Sequence, residues 1–255
     1  MERLDARLVS NGTVSGRSKA KELIENGFVT VNGRVITKAS FSVTDADEIT
    51  CDTSSIRYVG RGGYKLEKAL TMAEIPIAGM VAMDVGASTG GFTDCMLQNG
   101  AARVYAVDVG HGQLHPTLCA DPRVVNLEGT DIRHTEQISQ TVEQGSIHLC
   151  SVDVSFISLT SVMPYIVPFL ADHARVIVLI KPQFEAGRSD IGKGGIVKNP
   201  AVHKRVLKEI TAFLESLPFR VLAVEPSPIT GGDGNVEFLA VLCYTTDKRR
   251  GVECK

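Results

Sequence analysis

The sequence lacks the cysteine patterns that hold metal clusters or disulfide frameworks. Its six cysteines form no CxxC pair and no Cys/His cluster, so we expect neither a structural zinc nor an iron–sulfur site. The N-terminus, MERLDARLV, does not have the order of charged, apolar and small residues that defines a secretory signal peptide. Together these absences predict reduced thiols in a cytoplasmic protein.

Long apolar runs are also missing, which argues against a membrane partner. The best candidate, VMPYIVPFLADHARVIVLI, is interrupted by two prolines and then by Asp172, His173 and Arg175, whereas a spanning helix needs about 20 mostly apolar residues. The formal net charge of −2 argues against a uniformly basic surface. Any binding of nucleic acid must therefore come from local basic patches.

The first part of the chain predicts a small polar α+β module. The stretch SGRSKAKELIENG predicts a short helix, and FVTVNGRVITK predicts a hairpin that turns at Asn32 and Gly33. A further strand follows in DADEITC. We assign residues 1–56 to this module and the glycine-rich residues 57–63 to a linker.

From about residue 64, apolar runs that end in polar residues alternate with helix-compatible segments. The runs are GMVAMDVG, ARVYAVDVG, PRVVNLEG, SIHLCSVDVS, ARVIVLIKP, FRVLAVEPS and NVEFLAVLCY. This alternation predicts an α/β domain with a mostly parallel, doubly wound sheet. We place the domain at residues 64–246 and a basic C-terminal tail at residues 247–255.

The turn after the first strand, AMDVGASTGGFT, is a candidate nucleotide site. Its glycines let the backbone approach a ligand closely, but their GxxxGG spacing differs from the GxGxxG of dinucleotide sites. S-adenosylmethionine, another nucleotide, or a turn needed only for tight packing all remain open. Asp108 is placed to accept hydrogen bonds from ribose hydroxyls, and Asp131 from an adenine amino group. The predicted cofactor-binding residues are Asp84, Gly86, Ala87, Ser88, Gly90, Gly91, Phe92, Asp108 and Asp131.

Four further polar residues are expected at the same edge of the sheet. Asp153 and Lys181 each follow an apolar run, Glu237 opens the last one, and Lys65 precedes the first. Each alone is explained by solvent exposure or by an ion pair. Because the carboxyl edge of an open α/β sheet is where ligands bind, the four together favour a catalytic site.

These motifs also carry a family resemblance. RGGYKL, DVGASTGGFTD, DVGHGQL, DVSFIS, IKPQFE and GNVEF, in this order, resemble the TlyA family of FtsJ-like ribosomal RNA 2′-O-methyltransferases, which have an N-terminal α-L RNA-binding motif. The resemblance implies a Rossmann-like class I methyltransferase fold with a seven-stranded sheet, S-adenosylmethionine as cofactor, and a catalytic tetrad at Lys65, Asp153, Lys181 and Glu237. It further implies methylation of a cytidine ribose 2′-hydroxyl in large-subunit RNA, with the small subunit left open.

The tetrad suits this chemistry. A ribose hydroxyl is a very weak acid, and a lysine can act as its base when burial and neighbouring cations lower the lysine pKa. We therefore expect Lys181 to be the base, Asp153 to orient it, and Glu237 to position Lys65 or the ribose. No metal is expected. The chain has no [DN]PPY-like motif after its fourth strand and no Pro-Cys pair, which disfavours methylation of base amino groups and of cytosine C5.

Basic residues of the small module and linker are the expected contacts to ribosomal RNA or a ribosomal subunit. Phosphate contacts of this kind fall steeply in affinity as salt rises, although a solvated helix face also explains the charges. The predicted RNA-binding residues are Arg17, Lys19, Lys21, Arg34, Lys38, Arg57 and Arg61. Two rival functions stay open: a membrane-lytic hemolysin, a name that some family members carry, and a catalytically silent ribosome-binding protein.

Overall fold

The chain forms two compact units, Met1–Arg61 and Gly62–Lys255. The computed structural model describes residues 1–14, 16–25, 27–52, 57–192, 194–231 and 234–245. The predicted basic tail, residues 247–255, lies outside the described residues, as do residues 53–56 ahead of the predicted linker.

The first unit is the α+β module that the sequence predicts. Its helices are Leu4–Ser10 (α1) and Arg17–Glu25 (α2), and its strands are Glu2–Arg3 (β1), Val29–Val31 (β2), Arg34–Val35 (β3), Ser42–Val43 (β4) and Ile49–Cys51 (β5). Strands β3, β2 and β5 form one antiparallel sheet, and β1 pairs with β4. The predicted hairpin is confirmed, since Asn32 and Gly33 both have positive φ, at 51° and 73°, as a type I′ turn requires.

The second unit contains the predicted mostly parallel sheet of seven strands in its described part. The strands are Val81–Val85 (β6), Arg103–Asp108 (β7), Val124–Glu128 (β8), Ile147–Val152 (β9), Leu170–Ile180 (β10), Phe219–Pro226 (β11) and Phe238–Tyr244 (β12). Their order is β11-β12-β10-β9-β6-β7-β8. Strand β12 runs antiparallel to both of its neighbours, and the other pairs are parallel.

This strand order decides where a ligand can bind. From β6 the chain proceeds to β7 and β8 on one side of the sheet, and then returns to β9 and β10 on the other. The crevice between the carboxyl ends of β6 and β9 is therefore the topological switch point at which open α/β sheets bind ligands. Strands β9 and β10 are almost fully buried at these ends, which gives the crevice a rigid floor.

Helices connect the strands of this unit. They are Gly62–Met72 (α3), Gly91–Gln98 (α4), Pro116–Cys119 (α5), Thr135–Ile138 (α6), Met163–Ile166 (α7), Pro182–Glu185 (α8) and Pro200–Ser216 (α9). The segment between β9 and β10 is helix-compatible in sequence but folds into α7 flanked by two short 3₁₀ turns. Pro164 and Pro168 explain this difference, because each removes a backbone donor from the helical hydrogen-bond ladder.

Two local features differ from the sequence analysis. Helix α3 begins at Gly62, within the stretch assigned to the linker. The prediction of reduced thiols holds for Cys51, Cys95, Cys119 and Cys150, but it is wrong for Cys243, which is disulfide-bonded. Cysteine spacing alone does not predict that bond, because a disulfide depends on the proximity of two cysteines in space.

Candidate active site

The four polar residues predicted to converge do meet in the second unit. Lys65 comes from the first turns of α3 and Glu237 immediately precedes β12, while Asp153 and Lys181 follow β9 and β10. Lys65 and Lys181 are each 8% exposed and Glu237 is 4% exposed. Charged side chains buried to this degree need opposite charges close by.

The tetrad forms a continuous chain of alternating charges. Lys65 Nζ donates a hydrogen bond to Glu237 Oε2 at 2.6 Å and lies 3.9 Å from Asp153 Oδ2. The other oxygen of Asp153, Oδ1, lies 2.6 Å from Lys181 Nζ. Asp153 thus lies between the two lysines, and Glu237 contacts Lys65. The order of charges is Glu237, Lys65, Asp153, Lys181.

A cavity of about 560 Å³ opens beside the tetrad, at the ends of β6, β7 and β9. The glycine turn forms one wall. Gly86 has φ of +85°, and a Cβ added there would overlap the backbone oxygen of Asp153, so only glycine allows the ends of β6 and β9 to approach this closely. Ile132, Phe156 and Ile157 give other parts of the lining an apolar surface.

Four of the nine predicted cofactor-binding residues line the cavity. They are Gly86, Ser88, Asp108 and Asp131. The carboxylate of Asp108 accepts hydrogen bonds from the backbone N–H of Ser88 at 2.8 Å and of Gly110 at 2.7 Å, which fixes the two loops that border the cavity. Arg133 binds Asp131 through two nitrogens, the shorter contact being 2.6 Å, and the hydrogen bonds from Arg133 hold the pKa of Asp131 below its usual range.

The other five predicted cofactor-binding residues do not line it. They are Asp84, Ala87, Gly90, Gly91 and Phe92. Asp84 points into the sheet interior with no exposed surface, where its carboxylate accepts hydrogen bonds from Thr93 Oγ1 and Ser151 Oγ, both at 2.7 Å. Burial outweighs these hydrogen bonds and raises the pKa of Asp84 to about 6.

Sequence reasoning assigned no role to several residues around the site. Ser155 and Phe156 follow Asp153 in the quoted motif DVSF and line the cavity. Phe156 is 91% exposed and has φ of +64°, a conformation that costs energy for a bulky residue and often marks a functional site. A large aromatic residue three positions after a strand-end aspartate was the available signal.

Glu128 was also missed, although it ends β8 next to Asp108. Its carboxylate accepts hydrogen bonds from Asn126 Nδ2 and from the backbone N–H groups of Leu114 and Gln113. These bonds lower the pKa of Glu128 to about 2. Gln113 lines the cavity. Its backbone N–H bonds to Glu128, so Glu128 holds this part of the cavity lining in place.

The predicted RNA-binding residues belong to the first unit. Arg17 and Lys21 are each 61% exposed in their side chains and face acidic partners, Asp5 at 3.4 Å and Glu25 at 3.6 Å. Arg34, Lys38 and Arg57 are exposed and Arg61 is half-buried. The side chain of Lys19 lies outside what the structure describes. The unit therefore presents cations, of which Arg17 and Lys21 lie close to carboxylates.

Comparison with known families agrees with this geometry. Residues 58–244 match the model of the FtsJ-like methyltransferases, and residues 2–49 match that of the S4 domain. The chain belongs to the FtsJ-like methyltransferase family. The tetrad and the cavity both lie within the part of the chain that this family model covers, and the module ahead of it is an S4 domain.

Close relatives of this FtsJ-like methyltransferase carry two kinds of name. The 16S/23S rRNA (cytidine-2'-O)-methyltransferase TlyA of Mycobacterium tuberculosis (strain ATCC 25618 / H37Rv) is 40% identical over 247 residues, covering 96% of this chain and 91% of that protein. Hemolysin A of Brachyspira hyodysenteriae is 40% identical over 238 residues, covering 93% and 98%. A solved structure described as a candidate hemolysin from Streptococcus thermophilus has a TM-score of 0.74 and 41% identity, covering 98% and 91%.

Two structural features are absent from the described residues. Within the described ranges, no helix combines the length and the apolar character needed to cross a membrane. Across the same residues, no group of three or more His, Cys, Asp or Glu side chains is arranged to hold a metal ion. The cytoplasmic location stays a prediction.

Proposed function

We propose that this FtsJ-like methyltransferase transfers a methyl group from S-adenosylmethionine to the 2′-hydroxyl of a cytidine ribose in ribosomal RNA. The observation that carries the proposal is the ion-paired tetrad of Lys65, Asp153, Lys181 and Glu237, in which both lysines and Glu237 are buried and Asp153 lines the cavity. The choice of cytidine and of ribosomal RNA is supported by the relative from M. tuberculosis, whose name states both.

The residues around the cavity fit S-adenosylmethionine. Gly86 supplies a wall without a side chain, and each oxygen of Asp108 keeps a lone pair for a ribose hydroxyl after accepting one backbone N–H. Asp131 also lines the cavity, although each of its oxygens already accepts two hydrogen bonds from Arg133. Ile132 offers an apolar surface to the adenine ring. When bound, S-adenosylmethionine supplies an electrophilic methyl group on a positively charged sulfur.

Lys181 is the proposed base. It takes the proton of the 2′-hydroxyl, so that the O–H bond breaks and an N–H bond forms on Nζ. Asp153, 2.6 Å away, balances the positive charge that Lys181 then carries. Glu237 holds Lys65 at 2.6 Å and thereby keeps a second cation near Asp153. General-base catalysis by a positioned side chain contributes about 10²- to 10⁴-fold in rate.

The RNA would be held by phosphate contacts and by stacking. The exposed ring of Phe156 lies at the cavity and offers a face on which an unstacked base can pack. Cations of the S4 domain, such as Arg34 and Lys38, would contact phosphates. The exposed ring and the exposed cations support RNA as the methyl acceptor.

The test is transfer of labelled methyl from S-adenosylmethionine to unmodified large and small ribosomal subunits. We expect label on a cytidine ribose in large-subunit RNA, and a loss of at least 100-fold in rate for Lys181→Ala. Lys208→Ala, an exposed lysine of α9, is the matched control and should keep the wild-type rate. Label that survives Lys181→Ala would remove Lys181 as the base, and label on a base would contradict ribose methylation.

The hemolysin names of two relatives require a separate measurement. If the chain disrupts membranes, purified protein at low concentration will release dye from liposomes, and Lys181→Ala will release as much. A catalytically silent ribosome-binding protein would instead bind subunits while calorimetry detects no S-adenosylmethionine. We expect cofactor binding and no dye release.

A further inference from the structure

Lys181 has a second polar neighbour besides Asp153. Its Nζ donates a hydrogen bond of 2.8 Å to Ser155 Oγ. The contact with Asp153 Oδ1 is closer, at 2.6 Å, but it lacks hydrogen-bond geometry, and Oδ1 has no hydrogen-bond partner among the residues that the structure describes. The directional bond on Lys181 is therefore the one to Ser155.

The loop that carries Ser155 is fastened to the segment that carries Lys181. Phe156 packs on Phe184 with ring centroids 5.1 Å apart. Farther along, Ser158 Oγ donates to Glu185 Oε2 at 2.6 Å. Since Phe184 and Glu185 belong to α8, which begins directly after Lys181, these contacts keep Ser155 and Lys181 at a fixed distance from each other.

This arrangement matters for a lysine that must accept a proton. A neutral amine has two N–H donors and one lone pair, whereas an ammonium group has three donors and no lone pair. Ser155 Oγ accepts one of the two N–H groups, and the carboxylate of Asp153, 2.6 Å from Nζ, attracts the other electrostatically. The third position on nitrogen is then left for the lone pair. Without Ser155, rotation about the last side-chain bond would let the lone pair turn away from the substrate.

We infer that Ser155 is a positioning residue that orients the lone pair of Lys181 toward the 2′-hydroxyl of the substrate. This inference rests on the proposed function, in which Lys181 is the base. Ser155 lines the cavity, and within the described part of the chain its own hydroxyl hydrogen has no acceptor. That hydrogen is available to an oxygen of the bound ribose. The hydroxyl of Ser155 would then contact both the substrate and the base, Lys181.

The experiment compares Ser155→Ala and Ser155→Thr with wild type in the same methyl-transfer assay on ribosomal subunits. We expect kcat to fall about 10-fold for Ser155→Ala, since one hydrogen bond of ordinary strength is lost, while KM for RNA and the affinity for S-adenosylmethionine stay within about 2-fold. Ser155→Thr keeps a hydroxyl at Cβ and should restore most of kcat. A structural role alone would change KM or stability instead.

Ser161→Ala is the matched control, because it removes an exposed hydroxyl from the 3₁₀ turn that follows the loop and leaves the contacts of Lys181 and Glu185 in place. An equal fall in kcat for Ser161→Ala and Ser155→Ala would overturn the inference, as would wild-type kcat in Ser155→Ala. The two hypotheses fail differently. If wild-type protein transfers no label, the proposed function is wrong; if wild type transfers label and Lys181→Ala does not, only the role of Ser155 is in question.

Discussion

Asp84 offers a quantitative test of how the sheet interior treats a charge. Its carboxyl group is fully buried below the glycine turn and accepts hydrogen bonds from Thr93 and Ser151. Burial raises its pKa from 3.8 to about 6, the two hydrogen bonds oppose the rise, and the charge of Asp153 adds to it. At neutral pH the carboxyl group of Asp84 is therefore ionised in the folded protein, although its burial disfavours the charge.

The sign and size of the effect follow from proton linkage. Between the ordinary aspartate pKa near 4 and the folded value of about 6, the folded state binds more protons than the unfolded state, so stability falls as pH rises through this window. Two pKa units correspond to about 3 kcal/mol. Asp84→Asn is neutral and can still bond both hydroxyls, so we expect it to be more stable than wild type by up to about 3 kcal/mol at pH 8 and by nearly nothing at pH 4.

The assay is urea unfolding of wild type and Asp84→Asn from pH 4 to pH 8. In thermal unfolding at pH 8, the same stabilisation of about 3 kcal/mol would raise Tm by roughly 6–12 °C for a chain of this size. The reasoning would be refuted if the difference in the free energy of unfolding between the two proteins did not change with pH, or if the variant were less stable than wild type at pH 8. Because Asp84 does not line the cavity, the affinity for S-adenosylmethionine should change less than about 3-fold; a larger loss would mean that Asp84 contacts the cofactor after all.

Three further predictions test the turn, a loop anchor and the RNA contacts. Gly86→Ala should lose cofactor binding by calorimetry, because its Cβ would overlap backbone at positive φ, whereas Gly145→Ala, with equal φ strain but open space, should bind normally. Asn235→Ala should lower the free energy of unfolding by about 2–4 kcal/mol in urea, since one buried and one partly buried hydrogen bond to backbone are lost; wild-type stability would contradict this. Arg34→Ala should reduce the slope of log affinity for RNA against log salt by about 1. Arg17→Ala should reduce this slope by less, because Arg17 already faces a carboxylate. A slope for Arg34→Ala equal to that of wild type would exclude Arg34 as a phosphate contact.

Local sequence pattern was sufficient for the sheet and for the edge at which the site lies. Apolar runs that end in Asp153 and Lys181 indicate strands whose carboxyl ends share one edge, because parallel strands point the same way. The Asn32-Gly33 pair likewise specified its hairpin, since few other residues adopt positive φ at both turn positions. Such features depend on neighbours in the chain, and the sequence contains them in full.

Tertiary structure decided which of these residues touch and which way they face. Lys65 and Glu237 are 172 positions apart, and only the packing of α3 beside β12 makes them a pair. The same applies to the bond between Lys181 and Ser155, and to Asp84, which strand register turns inward while Asp108 turns toward the cavity. The physical reason is that pattern and period specify the edge of a sheet, whereas side-chain contacts depend on how distant segments pack, and spacing along the chain does not encode that packing.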